Sequence, residues 1–128
     1  IAVEGISSFY QLYFLSGIEL IVDESYIEGN VIRVYNKNNY TASHNAYGMS
    51  FSRDYARLPT SFIVVNNTVE LINGHYAVYI QDALSGFVIH NYLTSKDACG
   101  NATIYENGHI TIADNYCPQC NGNCMCNH

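Results

Sequence analysis

Cys117, Cys120, Cys124, Cys126 and His128 crowd into the last twelve residues of this 128-residue chain. Closely spaced thiolates with an imidazole are ligands for Zn²⁺, Cu(I) or an iron centre, because soft sulfur donors select those ions. The same cysteines, together with Cys99, can instead pair as disulfides if the chain is exported to an oxidising compartment. Five cysteines is an odd number, so two bridges leave one sulfur over for another subunit or for a metal. Both chemistries, and the disulfide pairing, stay open at this point.

Within that group, Cys117-Pro118-Gln119-Cys120-Asn121-Gly122 is similar to the metal-binding knuckles of rubredoxins and zinc ribbons, in which backbone amides turn back on two thiolates. The resemblance covers six residues and implies a metal site. Those families place a second knuckle well downstream, whereas Cys124-Met125-Cys126 follows here after three residues. The tail would have to wrap around its own ion, with His128 able to replace one thiolate. Asn121 stands where covalent c-type haem attachment needs His, and the spacings match no known iron–sulfur run.

Chemistry elsewhere is sparse. His44, His75, His90 and His109 show no His-x-x-x-His spacing and read as strand or loop residues. Asp23, Glu24 and Glu28 sit near one turn, a set that could hold Ca²⁺ and reads more simply as a solvated loop. There is no Gly-x-Ser-x-Gly elbow, phosphate loop, dinucleotide fingerprint or Ser-x-x-Lys, so the expectation is a protein that is not an enzyme. Three sequons, at Asn39, Asn66 and Asn101, are candidate glycosylation sites in an exported chain.

Positioning any of these groups falls to a β-rich chain. Apolar residues make up 48% and charged residues 12%, with 12 Tyr and no Trp, which excludes a charge-driven disordered chain and a coiled coil. A net charge of −6 provides no field to gather phosphates, so nucleic acid is not an expected partner. The most apolar stretch, Ile6 to Val22, is interrupted by Ser7, Ser8, Gln11, Ser16, Gly17 and Glu19, which predicts no transmembrane segment.

Short apolar runs recur between Gly, Asn and Asp clusters without a helical period. Strands are predicted over 8–15, 18–22, 31–35, 46–52, 61–65, 68–72, 75–81, 87–93, 102–106 and 109–113, and Arg53-Asp54-Tyr55-Ala56-Arg57 before Leu58-Pro59 reads as a loop. Asn73-Gly74 and Asn107-Gly108 predict two antiparallel hairpins, since Asn-Gly supplies the positive φ angles of a type I′ turn. In the first, Leu71 faces Tyr76 and Val69 faces Val78. Glu28-Gly29-Asn30 and Ser85-Gly86 predict further tight turns, and no internal repeat of fixed period emerges. The expected fold is a single-domain, all-β antiparallel β-sandwich, Greek-key or jelly-roll-like, over 1–115, with a Cys-rich tail over 116–128.

Few charges, many tyrosines and an odd cysteine point to a secreted or cell-surface structural subunit whose partners are other copies of itself, forming an extracellular filament, coat or surface layer. The first apolar strand, with Phe9, Tyr10, Leu12, Tyr13, Phe14 and Leu15, is a candidate for donation to a neighbour's sheet within residues 1–15. Two other readings stand beside this one. One is a metal-binding or redox module using the tail; the other is a surface glycoprotein domain that binds a receptor or a carbohydrate through tyrosine-bearing loops.

Overall fold

The computed structural model describes residues 1–5, 15–20, 24–37, 46–51, 61–74, 76–95 and 104–118. Among the described residues ten strands run in chain order: β1 (Ala2–Gly5), β2 (Leu15–Leu20), β3 (Glu24–Glu28), β4 (Val31–Asn36), β5 (Ala46–Phe51), β6 (Ser61–Val65), β7 (Thr68–Ile72), β8 (Tyr76–Ile89), β9 (Tyr92–Ser95) and β10 (Ile104–Ala113). The all-β expectation holds. Every pairing among them is parallel, however, and the antiparallel sandwich is overturned.

The order of the sheets gives the architecture. One face is β1-β4-β7-β9. A second stacks β2, β5, the first part of β8 and the first part of β10; a third stacks β3, β6 and the later parts of the same two strands. Each strand therefore pairs with the equivalent strand one circuit later, and the described residues wind as a parallel β-solenoid whose strands make four coils. Parallel sheets normally need helices to cover them; here the faces of the coil cover one another.

The alternation of β4, β6 and β7 puts every second side chain inside. Because the coils are in register, inward residues stack on their own kind: Ile27, Val64, Val88 and Ile112 form one column, and Ile32, Val69 and Leu93 another. Cys117 follows Leu93 in that column, one residue past the bridge between Tyr92 and Tyr116, and is fully buried. Phe51 and Phe62 stack in the core, their rings 4.9 Å apart. Each such side chain contributes about 1.5–3 kcal/mol through burial.

Both predicted hairpins are absent, for an identifiable reason. Asn73 does take the positive φ, at 57°, but the chain turns a corner there and enters the next face, so β7 and β8 never become partners. Leu71 pairs with Val34 and Val78 with Met49. Side-chain amides clamp the corner: Asn36 Nδ2 donates to the Asn73 carbonyl at 2.9 Å, and Asn73 Nδ2 donates back to the Asn36 carbonyl at 3.0 Å. Gly74 is needed because a Cβ would run into the Leu71 side chain. Asn107-Gly108 is a register shift inside continuous β10, and Ser85-Gly86 lies within β8.

Other boundaries also move. β1 and β3 were not expected as strands, and the single run over 87–93 is cut by a corner at His90-Asn91 into β8 and β9. Period-two patterning reports which side of a strand is buried. It carries no information about chain direction, which is why strand content was legible and topology was not.

Candidate functional site

One corner recurs in every coil. Gly29, Asn66, His90 and Asp114 each adopt φ between 56° and 70°, and each precedes an asparagine: Asn30, Asn67, Asn91 and Asn115. The backbone N–H and the Nδ2 of each asparagine donate to the Oδ1 of the next, at 3.0 and 3.1 Å for Asn30 on Asn67, 2.9 and 3.1 Å for Asn67 on Asn91, and 2.9 Å twice for Asn91 on Asn115. Nδ2 also reaches back to carbonyls of the previous coil, Ile27 for Asn67, Val64 for Asn91 and Val88 for Asn115. The Thr68, Tyr92 and Tyr116 amides bond to the Asn30, Asn67 and Asn91 carbonyls. A corner that would otherwise strand backbone groups is thus satisfied by one residue type.

This is the repeat that sequence reasoning missed. The ladder residues are 37, 24 and 24 positions apart, and the extra length of the second coil enters between Asn36 and Tyr47 and between Phe51 and Ile63. A search for a fixed period fails on such a chain. The signal is the local pattern apolar, any, Gly/Asn/His/Asp, Asn, any, apolar, as in Ile27-Glu28-Gly29-Asn30-Val31-Ile32 and Val88-Ile89-His90-Asn91-Tyr92-Leu93.

Two outward columns flank the ladder. Tyr26, Ile63, Phe87 and Thr111 are in register on one side; Val31, Thr68, Tyr92 and Tyr116 are in register on the other. Tyr26, Phe87, Val31, Tyr92 and Tyr116 are all exposed, and the Tyr92 and Tyr116 rings lie 5.5 Å apart.

On the first face, a groove of about 320 Å³ is lined by Glu4, Arg33, Tyr35, Glu70 and Ile72. Its charges are paired in exposed ion pairs, Arg33 with Glu70 at 3.4 Å and Lys37 with Glu4 at 3.3 Å. Such pairs contribute at most about 1 kcal/mol each.

A tyrosine cluster occupies the second face. Tyr47 stacks on Tyr79 at 4.8 Å and on Tyr76 at 6.4 Å and is only 8% exposed. Burial, then the neighbouring Tyr79 and Tyr76 phenols, push its hydroxyl up to about 12. A folded-state value above the unfolded value near 10 gives stability that is present below that unfolded value and lost as pH rises through the folded one. Denaturation followed from pH ~9 to ~12 should show a loss approaching 2–3 kcal/mol. Tyr47→Phe should flatten that slope.

No protein-family model, curated protein or solved structure matches this chain.

The sequence candidates are distributed as follows. Cys117 is disulfide-bonded, with a partner outside the described residues, so its sulfur is not a free thiolate in this structure. Cys99, Cys120, Cys124, Cys126 and His128 lie outside the described residues, and among those described no cluster of three or more His, Cys, Asp or Glu could hold a metal. Asn66 is exposed at its corner; Asn39 and Asn101 lie outside. Phe9, Tyr10, Leu12, Tyr13 and Phe14 also lie outside, while Leu15 opens β2 and pairs with Ala46 of its own chain. Glu24 and Glu28 are not in a loop: they are the two ends of β3, with Tyr26 between them donating to Glu28 Oε2 at 2.9 Å. That bond, with burial and the carboxylate's charge adding to it, raises the Tyr26 hydroxyl above its usual value. Among the described residues no helix is long and apolar enough to cross a membrane.

Proposed function

We propose that this chain is a non-enzymatic, secreted or cell-surface structural subunit that associates with copies of itself into a filament, coat or surface layer. The observation that carries the proposal is the solenoid with an edge: among the described residues β3 stands at the end of its sheet and is paired on one side only. An edge strand is a template for further strand pairing. Repeated coils also make the molecule one-dimensional, so a contact between its unlike surfaces propagates unless it closes. The exposed columns around Tyr26, Phe87, Tyr92 and Tyr116 add area that association would remove from water.

Export is supported by the oxidised Cys117 and by the exposed Asn66 of the Asn66-Asn67-Thr68 sequon. Intact mass with and without reduction, together with sedimentation and negative-stain microscopy of the same sample, tests the proposal. The expected result is mass consistent with disulfides and glycans and a sedimentation coefficient that rises with concentration. A strictly monomeric protein at the highest attainable concentration overturns it.

A further inference from the structure

We propose that copies of this chain stack head to tail along the coil axis, residues 110–116 of one copy docking on residues 26–31 of the next, so that the asparagine ladder runs on across the junction. The inference rests on the self-assembly proposed above and names the two surfaces that meet.

The ladder has a direction, and its two ends are complementary. Each step sends the backbone N–H and Nδ2 of one asparagine to the Oδ1 of the asparagine in the following coil. Among the described residues, Asn30 Oδ1 therefore accepts no bond at the first coil, and the Asn115 backbone N–H donates none at the last. A second copy set one coil further on satisfies both groups, with Asn115 N–H and Nδ2 reaching its Asn30 Oδ1. Its Asn30 Nδ2 then meets the Ile112 carbonyl as Asn67 Nδ2 meets Ile27, and its Val31 amide meets the Asn115 carbonyl as the Thr68 amide meets Asn30. Two ends that complete bonds the chain already makes between its own coils fit a second copy of that chain.

Register and burial point to the same ends. Among the described residues β3 and β10 each pair on one side only. Stacking sets Ile112 beside Ile27 of the next copy, Thr111 beside Tyr26, and Tyr116 beside Val31, extending the columns already present. Val64 and Val88, inside their column, are fully buried, whereas Ile112 at its end is half-buried. Tyr26, Val31 and Tyr116 are each more than half exposed and each ends a column; Phe87 and Tyr92, inside the same columns, are less exposed. The junction removes that apolar area from water.

On the first face the junction requires an exchange. Cys117 holds the register position beside Leu93, Val69 and Ile32 that Ile1 holds in the coil before Ile32. Ile1 and Ala2 are exposed, so they yield to Cys117 and Pro118 of the preceding copy. The Arg33 amide, now 2.8 Å from the Ile1 carbonyl, then takes the Cys117 carbonyl in its place.

Sedimentation velocity of the full-length chain, with circular dichroism to check folding, tests this geometry. Val31→Asp blocks one end and Tyr116→Asp the other, and each alone should weaken self-association about tenfold or more, because the junction then buries an unpaired charge. Phe87→Asp, on an exposed residue inside its column, should leave association unchanged. Mixed in equal amounts, the two end-blocked variants should form a one-to-one dimer that grows no further, since each retains one working end. Removing Ile1 and Ala2 should strengthen association. End-blocked variants that assemble like wild type, a mixture that stays monomeric, a Phe87→Asp chain as defective as the other two, or a deletion that fails to strengthen association overturns the head-to-tail junction and leaves self-assembly standing. A wild-type chain that does not associate removes both.

Discussion

Asn91→Leu should lower the stability of the solenoid by about 3–5 kcal/mol, read as a fall in the urea midpoint followed by circular dichroism. Asn91 is 2% exposed and sits in the middle of the ladder. Its Oδ1 accepts both the backbone N–H and Nδ2 of Asn67, and its Nδ2 serves the Val64 and Ile89 carbonyls and Asn115 Oδ1. Leucine fills a comparable volume and removes all of these at once, leaving buried donors and acceptors on two neighbouring coils without partners. Each such group costs about 1–3 kcal/mol, and the costs are not additive because the coils relax together.

Two companion variants separate this cause from loss of packing. Asn30→Ala, at the half-exposed start of the ladder, loses the bonds to Asn67 Oδ1 and the Glu28 carbonyl where water can replace them, and should cost only about 1 kcal/mol. Asn91→Asp sets a carboxylate against the Val64 and Ile89 carbonyls. Its folded-state value should rise above the unfolded one, so this variant should recover stability as pH falls through that raised value. A midpoint for Asn91→Leu within about 1 kcal/mol of wild type would sink the idea that the ladder holds the corners together.

Phe62→Ala should cost about 3–5 kcal/mol, since the ring is 1% exposed and its removal leaves a cavity that the stacked coils cannot close. Its position also explains a glycine. A Cβ on Gly86 would stand 2.6 Å from two carbons of the Phe62 ring, so Gly86→Ala alone should destabilise by about 1–3 kcal/mol through overpacking. In the Phe62→Ala background the same substitution gains room, and its cost should largely vanish. That coupling, measured in a double-mutant cycle by chemical denaturation, is the discriminating number. Additive costs would mean that Gly86 is required by its backbone and not by the ring.

Particular residues show how far sequence reading reached. The strands over 31–35, 61–65 and 68–72 were legible because β-branched and aliphatic residues alternate there with polar ones. β3 was not, because its outward side chains are Glu24, Tyr26 and Glu28, and a strand that shows carboxylates to water resembles a loop by composition. Asn73-Gly74 was expected to supply two positive φ angles; Asn73 takes one and Gly74 does not, because the solenoid corner needs a single such residue where a type I′ hairpin needs two. The ladder was illegible to a fixed-period search because extra residues in the second coil enlarge one interval from 24 to 37.

By itself the amino-acid sequence determined strand content, the faces that turn inward and the concentration of cysteine near the end. Those are local properties, set by side-chain shape, hydration and backbone sterics within a few residues. Only the tertiary structure decided that the strands run parallel, that Asn30, Asn67, Asn91 and Asn115 meet, that Cys117 continues the column of Ile32, Val69 and Leu93, and that β3 ends its sheet among the described residues. Each of these depends on which strand lies beside which, a choice made by burial and hydrogen bonding between residues a full coil apart.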